Sequence, residues 1–421
     1  MDKFIIRGGN KLRGKVKVSG AKNSSLALIP AALLNRGINT FFNTPEVNDI
    51  FTMNKLLMNL GAEVTFKDYE LKIDTSGINN QVAPYEQVKK MRASVYVLGP
   101  LLSKYGYAKV SLPGGCAWGP RPINLHLEAM KKLGAQIELE EGYIIAKSNK
   151  LHGAKINFDI SSVGATGNAL MAAVMAKGNT LITNAATEPE ITLLANYLKK
   201  MGAKIEGIGT NTLEIEGVDE LEATEIANIG DRIEAGTLLI AGAITKGNIE
   251  IEYDEPKNIL SITDKLAQAG CEISFGNGVI GLNAENISLE SVDIITNIFP
   301  GFPTDMQAQW TALMTIANGT STVTDNIYFD RFKHVDELNR LGANIEVIKN
   351  SAVVKGVKSL KGAKVMSTDL RASASLVLAG LAAEGATEVL RIYHLDRGYQ
   401  KIEEKLCNLG ADIKRVATSE F

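Results

Sequence analysis

A motif of about 70 residues recurs six times along this chain of 421 residues. In each copy an amphipathic helix is predicted to end at Leu, Met or Ala, followed by Gly and then Ala or Cys. Glycine at this place is typical of a helix C-terminal cap, and the alternating residues after it predict a strand. The glycines are Gly61, Gly134, Gly202, Gly270, Gly342 and Gly410. Such regularity means that the fold has to be built from six similar units.

A second helix is predicted upstream of each motif. Its residues are Ala, Leu and Ser nearly all round, which indicates a buried helix. An opening strand such as 14–18 and two closing strands such as 203–208 and 212–216 complete the unit. Each repeat is therefore predicted to be strand–helix–strand–helix–strand–strand. The predicted buried helices are 23–34, 93–102, 165–176, 234–245, 306–317 and 372–383.

Six repeats predict an α/β protein of two domains with three repeats each. The sixth repeat ends without its last strand, and the run 4–7 is expected to supply it. We therefore expect one domain at 22–229 and another formed by 1–21 with 230–421, with the active site in the cleft between them. A solenoid of generic α/β units is the alternative, but solenoid repeats are usually shorter, about 20–50 residues.

Composition excludes several classes of protein. The formal net charge is −2, whereas a non-specific nucleic-acid binder needs a basic face. No apolar run approaches a membrane span, and the first residues show no secretion signal. Three widely separated cysteines suit a reduced compartment without disulfides. Together these features predict a cytoplasmic enzyme. No metal-ligand spacing, P-loop or dinucleotide fingerprint is present, so we expect no metal or cofactor, and a nucleotide would have to bind in another way.

Charged residues stand where the predicted buried helices begin. Asp231, Asp305 and Asp369, taken singly, are expected to be N-caps. Lys22, Arg92 and Arg371 are different, because a cation at a helix N-terminus opposes the helix dipole. Equivalent positions should converge if three repeats close around each domain axis. A bound polyanion is the simplest compensation for these cations.

One loop carries a candidate reactive thiol. Residues 113–122 contain three Pro and three Gly, which excludes a helix or a central strand. Cys116 lies in this loop, and Arg121 would favour its thiolate. The loop could close as a lid. Cys271 and Cys407 lie on repeat elements and are expected to be small buried apolar residues.

Eight short motifs in order resemble one family, the enolpyruvyl transferases that act on UDP-N-acetylglucosamine. The resemblance covers essentially the whole chain and implies two inside-out α/β barrels of three repeats each. It also implies transfer of the enolpyruvyl group of phosphoenolpyruvate to the 3-hydroxyl of the sugar nucleotide, with release of phosphate. The motifs are 19–23, 91–94, 113–116, 162–166, 231–234, 302–307, 368–373 and 396–399.

The resemblance also implies roles for individual residues. Cys116 matches the proton donor, which can form a covalent adduct with phosphoenolpyruvate, and Asp305 matches the residue that contacts the sugar 3-hydroxyl. The catalytic set is Cys116, Asp305, Lys22 and Arg397. The phosphoenolpyruvate-binding set is Lys22, Asn23, Arg121, Arg331, Arg371 and Arg397. The UDP-N-acetylglucosamine-binding set is Arg92, Arg121, Pro122, Ile123, Asn124, Leu125, Ser162, Val163, Gly164, Asp305 and Ile327. The supporting residues are Asp369, Asp231 and Glu188.

Three positions depart from the family pattern. Asn124 stands where an Asp is expected near the uracil, Ile160 stands where some members have Lys near the diphosphate, and Trp118 replaces a smaller lid residue. The absence of a cation at position 160 predicts a lower affinity for the nucleotide, whereas none of the three changes removes a catalytic role. The expected partners are the two small-molecule substrates, without nucleic acid or membrane, and a monomer is favoured.

Three alternatives stay open. The sibling reaction on shikimate 3-phosphate shares the fold and phosphoenolpyruvate, but the Pro-Gly-Gly-Cys run at 113–116 favours the sugar nucleotide. A non-catalytic repeat scaffold, such as a nucleic-acid clamp, is a hypothesis of another class. An RNA-terminus-processing relative of the same fold would depend on ATP.

Overall fold

A computed structural model describes residues 2–89, 91–112 and 123–420. Its described part contains six four-stranded sheets, one for each repeat. In every sheet the opening strand runs parallel to the second strand, and the two closing strands are antiparallel. For example, Ile156, Ile182, Leu213 and Ile205 lie in successive strands of one sheet, and all four side chains are buried.

The chain divides into two compact units. One consists of Met1–Ser19 with Gly230–Phe421, and the other of Gly20–Ile229. Each unit has its own apolar core. The predicted boundary follows residue 21, whereas in the structure residues 20 and 21 already belong to the second of these units.

The first unit, Met1–Ser19 with Gly230–Phe421, contains three sheets. In spatial order their strands are Arg13–Lys17, Asn248–Glu252, Val279–Asn283 and Glu272–Gly276; Ile294–Thr296, Thr320–Asp325, Ser351–Lys355 and Asn344–Ile348; and Lys364–Met366, Ala386–Leu390, Asp2–Arg7 and Asp412–Ala417. Its helices are Arg232–Ile244, Leu260–Gln268, Gln307–Met314, His334–Arg340, Leu370–Ala382 and Ile402–Asn408, with 3₁₀ turns at Pro256–Ile259, Thr304–Met306 and Ile392–Arg397.

The second unit, Gly20–Ile229, also contains three sheets among its described residues. Their strands are Glu225–Ala227, Ile38–Phe42, Glu70–Asp74 and Glu63–Lys67; Val82–Ala83, Tyr107–Ser111, Tyr143–Lys147 and Gln136–Glu140; and Lys155–Asn157, Asn179–Thr183, Thr212–Glu216 and Lys204–Glu206. The helices are Lys22–Ala31, Asn48–Leu60, Tyr85–Val88, Leu98–Tyr105, Asn124–Lys132, Val163–Ala173 and Pro189–Lys200, with 3₁₀ turns at Ala32–Leu34 and Arg92–Val97.

The predicted repeat pattern is present in all six copies. Each cap glycine has a positive φ, between 86° at Gly342 and 107° at Gly61, which a residue with a Cβ adopts only with strain. The six Ala- and Leu-rich segments are helical and almost fully buried. One of them differs from the prediction, because 93–102 begins as the 3₁₀ turn Arg92–Val97 before the α-helix Leu98–Tyr105.

Three strands lie far in sequence from the repeat whose sheet they join. Asp2–Arg7 completes the sheet of the sixth repeat, as predicted, and pairs with Ala386–Leu390 and Asp412–Ala417. Arg13–Lys17 does not open the sheet of the first repeat; it runs parallel to Asn248–Glu252 in the fourth. The chain leaves the first unit only after Ser19, so the opening strand of the first repeat is supplied by Glu225–Ala227, just before the chain returns.

The three apolar helices of the first unit pack against one another. They are Arg232–Ile244, Gln307–Met314 and Leu370–Ala382. Equivalent helix beginnings therefore converge within this unit. Among the described residues, no helix is both long enough and apolar enough to cross a membrane.

The completion of the sixth sheet by the strand Asp2–Arg7 can be tested by substitution. Ile6 is 0% exposed in the middle of the sixth sheet, whereas its neighbour Ile5 is half-buried on the other face. Ile6→Ala should lower the free energy of unfolding by about 2–5 kcal/mol, because it leaves a cavity in the core. Ile5→Ala is the matched control with a clearly smaller loss. Urea denaturation measures both, and equal losses would contradict the burial of this strand.

Candidate active site

Asp305 lies between two arginines of the first unit. Its Oδ1 is 2.8 Å from Nη1 of Arg331, and its Oδ2 is 2.7 Å from Nη2 of Arg371. Both guanidiniums are buried, while the Asp305 side chain is 27% exposed. Two buried cations and one partly exposed carboxylate thus form a dense cluster of charges. Such a cluster suits an anionic ligand.

Arg371 is held by a network of neutral groups. Its Nη1 donates to the hydroxyl of Tyr399 at 3.2 Å, and this hydroxyl also accepts from Nε2 of Gln309 at 3.1 Å. The Tyr399 hydroxyl lies 2.9 Å from Oγ1 of Thr237, whose own proton goes to the carbonyl of Ile233. Tyr399 therefore donates to Thr237 and accepts the other two bonds.

The charge on Arg371 is secured by its neighbours. Burial is the largest single influence and lowers the pKa of Arg371, but Asp305, Tyr399 and Asp231 together raise it by more. The net pKa lies above the ordinary value, so Arg371 stays a cation. Burial raises the pKa of Tyr399, which therefore stays a neutral phenol.

Arg331 is held from another direction. Its Nη1 donates to Oγ1 of Thr304 at 3.0 Å, and Thr304 donates to Oδ2 of Asp325 at 2.7 Å. Asp325 is fully buried at the end of the strand Thr320–Asp325. Its Oδ1 accepts from the backbone N–H groups of Ile327 and Tyr328, both at 2.9 Å. Ile327, a predicted nucleotide contact, is 36% exposed on this turn.

Two of the three predicted caps are present. Asp231 accepts from the N–H groups of Ile233 and Glu234, and Asp369 accepts from those of Arg371 and Ala372. The cap prediction is wrong for Asp305, which lies inside the 3₁₀ turn Thr304–Met306. Its side chain turns to the arginines instead, because two charge-assisted bonds are stronger than a cap bond. Asp369, by contrast, caps its helix and thereby fixes the backbone of Arg371, one of the two arginines at Asp305.

Arg397 ends the 3₁₀ turn Ile392–Arg397, two residues before Tyr399, and is half-buried. Asp396 next to it accepts two bonds from the guanidinium of Arg415, at 2.7 and 3.0 Å. This bidentate pair ties the turn to the C-terminal strand. Arg397 is thus carried on an anchored turn of the same unit as Asp305.

In the second unit, Lys22 is the first residue of its helix. It is buried, and its Nζ lies 3.4 Å from Oδ2 of Asp49, which is buried as well. A carboxylate of the chain itself therefore compensates this cation, as Asp305 does for Arg371. The predicted need for a bound polyanion is thus partly met inside the protein. Asn23, the next residue, is half-buried.

Three predicted nucleotide-binding segments come together in the second unit. Arg92 begins the 3₁₀ turn Arg92–Val97, and Tyr96 in this turn donates to the carbonyl of Val163 at 3.3 Å. Ser162 caps the helix Val163–Ala173 by accepting from the N–H of Ala165. The helix Asn124–Lys132 packs against Val163–Ala173.

His126 links these segments, and sequence reasoning assigned it no role. Oδ1 of Asn168 accepts from the N–H of Gly99 at 2.7 Å, which identifies the oxygen end of the amide. Its Nδ2 donates to the carbonyl of Val95 at 2.8 Å and to Nδ1 of His126 at 3.0 Å. The ring proton of His126 is therefore on Nε2, and this edge of the ring lies against Gly164.

The remaining predicted site residues differ in their exposure. Ile123 and Leu125 are half-buried and pack on the core, whereas Asn124 is exposed. Glu188 is buried before the helix Pro189–Lys200, and its charge raises the pKa of Tyr96, although burial is the larger cause. Ile160 is 70% exposed. Cys116, Trp118, Arg121 and Pro122 lie outside the described residues.

Several supporting residues were missed from the sequence. Asp49, Asp325, Gln309 and Thr237 lie inside ordinary-looking helices and strands, and they carry no motif of their own. A buried polar residue in an otherwise apolar segment was the available signal, as at Gln309 and Thr237.

The protonation of His126 predicts a pH dependence of stability. Burial, together with the charge of Arg92, lowers the pKa of His126 to about 4 from 6.5. The unfolded chain therefore takes up this proton first, and stability is lost as the pH falls from 6.5 towards 4. His126→Gln should flatten this loss, measured as the free energy of unfolding in urea across that range.

A second histidine limits how flat the profile becomes. Burial, with the charge of Arg331, lowers the pKa of His334 to about 3, so a residual slope remains in the His126→Gln protein. Removing both rings should remove both contributions. An unchanged profile in His126→Gln would contradict the assigned environment of His126.

Comparison with known proteins gives a consistent result. The model of the EPSP synthase family (3-phosphoshikimate 1-carboxyvinyltransferase) matches residues 6–406. The UDP-N-acetylglucosamine 1-carboxyvinyltransferase of Chlorobium limicola is 59% identical over 424 residues, covering 100% of both chains. That of Chloroherpeton thalassium is also 59% identical over 424 residues, covering 100% of this chain and 99% of the relative.

Solved structures agree. The enolpyruvyl transferase NikO from Streptomyces tendae has a TM-score of 0.90 at 25% identity, with 99% of each chain covered. EPSP synthase from Acinetobacter baumannii has a TM-score of 0.76 at 19% identity over 99% of this chain and 100% of that one, which supports the fold alone. The two-domain α/β fold predicted from the repeats is confirmed, and the chain belongs to the EPSP synthase family of enolpyruvyl transferases.

Proposed function

We propose that the protein transfers the enolpyruvyl group of phosphoenolpyruvate to the 3-hydroxyl of UDP-N-acetylglucosamine and releases phosphate. This would be the first committed step of peptidoglycan synthesis, carried out in the bacterial cytoplasm. Full-length relatives at 59% identity that carry this activity in their name support the choice of acceptor. The observation that carries the chemistry is Asp305 held between the buried Arg331 and Arg371.

The reaction is an addition followed by an elimination. The sugar hydroxyl loses its proton and attacks C2 of phosphoenolpyruvate, while C3 takes up a proton. The tetrahedral adduct then loses a proton from C3 and expels phosphate, which restores the double bond. This sequence needs a base at the hydroxyl, an acid at C3 and cations around the phosphate and carboxylate.

Asp305 is the proposed base. Its carboxylate is partly exposed, while the buried arginines hold both of its oxygens. Binding of an anionic co-substrate to Arg331 and Arg371 would compete with these two bonds. The carboxylate would then be released towards the sugar hydroxyl, so that the base becomes available only when phosphoenolpyruvate is bound.

The remaining roles follow the resemblance. Cys116 is the proposed acid at C3 and can form a covalent adduct, while Lys22, Asn23, Arg121 and Arg397 would hold phosphoenolpyruvate. The segment with Arg92, the start of the helix Asn124–Lys132 and the turn at 162–164 would hold the nucleotide, since these three lie together in the second unit. Pro122, Ile123, Leu125 and Ile327 would add contacts to it. No metal or cofactor is proposed, and we favour a monomer.

A phosphate-release assay with two acceptors tests the proposal. Phosphoenolpyruvate with UDP-N-acetylglucosamine should release phosphate, and phosphoenolpyruvate with shikimate 3-phosphate should not. The second acceptor is the appropriate competitor, because the description of the matching family names that activity. Release only with shikimate 3-phosphate would replace our proposal by the sibling reaction, and release with neither would refute both.

The proposed role of Cys116 predicts selective labelling by fosfomycin, an epoxide that resembles phosphoenolpyruvate. The Cys116 thiolate should open the epoxide, and peptide mass spectrometry should find the adduct on this residue only. Cys271 is buried, and burial raises the pKa of its thiol to about 12. Exposed Cys407, which donates to the carbonyl of Ile413, is the stricter internal control.

Cys116→Ser should abolish this labelling and sharply lower turnover. Cys407→Ser is the matched control and should leave both unchanged. Labelling of Cys271 or Cys407 in the unchanged protein would show that the reactive cysteine is misassigned.

A further inference from the structure

We propose that Asp325 is a positioning residue that sets both the Arg331–Asp305 pair and the turn at Ile327, using a different carboxylate oxygen for each. The inference rests on the proposed function, which gives these groups their substrates. Asp325 is fully buried, and no part of it is available to a substrate.

The first connection runs through Thr304. Nη1 of Arg331 lies 2.8 Å from Oδ1 of Asp305 and donates a hydrogen bond to Oγ1 of Thr304. Because Thr304 Oγ1 accepts this bond, its single proton is free to be donated to Oδ2 of Asp325, 2.7 Å away. This chain of bonds fixes the rotation of the guanidinium, and with it the place of Asp305.

The second connection is made by Oδ1 of Asp325. It accepts from the N–H groups of Ile327 and Tyr328, and also from the hydroxyl of Thr296 at 2.7 Å. Thr296 in turn accepts from the N–H of Asn326. The turn after the strand is thus bound on its inner side by one carboxylate and one hydroxyl, with Ile327 held outward.

Solvation explains why this arrangement is specific. A buried carboxylate is costly unless donors replace its water, and Asp325 receives four hydrogen bonds. Three of its donors belong to the segments 304–305 and 327–328, which the proposed function places at the substrates. Moving either segment would cost Asp325 a bond, so the carboxylate couples the geometry of the two.

Thr304→Val cuts only the first connection and keeps the shape of the side chain. Loss of the Thr304 hydroxyl removes its hydrogen bonds to Arg331 and Asp325 and should raise the KM for phosphoenolpyruvate at least about fivefold. The KM for UDP-N-acetylglucosamine should stay within about twofold, because the second connection is intact. Thr304→Ser restores the hydroxyl and should restore the KM for phosphoenolpyruvate.

Thr324→Val is the matched control. Thr324 is the neighbour of Asp325 in the same strand, and its hydroxyl pairs with that of Ser351 at 2.8 Å, away from both connections. This variant loses one threonine hydroxyl and should leave both KM values unchanged. If Thr304→Val changes neither KM, or changes them no more than Thr324→Val does, the first connection is refuted.

Asp325→Ala removes both connections and should raise both KM values. Its amide hydrogen exchange in peptides covering 326–331 should be faster than in the unchanged protein, since the turn loses its acceptor. This readout does not depend on activity. If the unchanged protein fails to use UDP-N-acetylglucosamine, the proposed function is refuted while exchange still tests the positioning role; unchanged exchange would refute the second connection.

Discussion

The apolar helix of each repeat constrains the whole molecule, because it has to be covered on all sides. A single four-stranded sheet cannot do this, and in the first unit the three apolar helices cover one another. Their packing brings equivalent helix beginnings together. In the first unit this places Asp305 at the start of one helix within 2.7 Å of Arg371 at the start of the next, and Thr237 of the third helix completes the network around Tyr399. The site is therefore a consequence of how the core is buried.

Burial also decides the electrostatics of these helix beginnings. A guanidinium or ammonium that is buried has to be paired, and the protein supplies Asp305 for Arg331 and Arg371, and Asp49 for Lys22. In the first pairing, two cations share the Asp305 carboxylate. The residues that are paired in the fold are thus the same ones that we propose to bind the anionic substrate, even though the whole chain carries a net charge of −2.

The repeat could be predicted from the sequence because its signals are local. The cap glycines, the all-apolar helices and the strand at Phe4–Arg7 follow from periodicity and from a missing element in the sixth copy. The partner of Arg13–Lys17 could not be predicted, since it depends on where the chain passes between the units. The same distinction applies to the site. Motif residues such as Asp305 and Arg371 were identified, although Asp305 was expected to be a cap and instead binds arginines. Asp49 and Asp325 were missed, because the side chains that they contact are distant in sequence.

Neutral groups help to hold the two arginines around Asp305. Arg371 rests on the phenol of Tyr399 and Arg331 on the hydroxyl of Thr304, with Asp325 one bond further away. A hydroxyl between Arg331 and Asp325 transmits orientation while it keeps the two charges apart. The cluster therefore combines several charges with a fixed geometry, and preorganised charges of this kind can stabilise a small, highly charged anion.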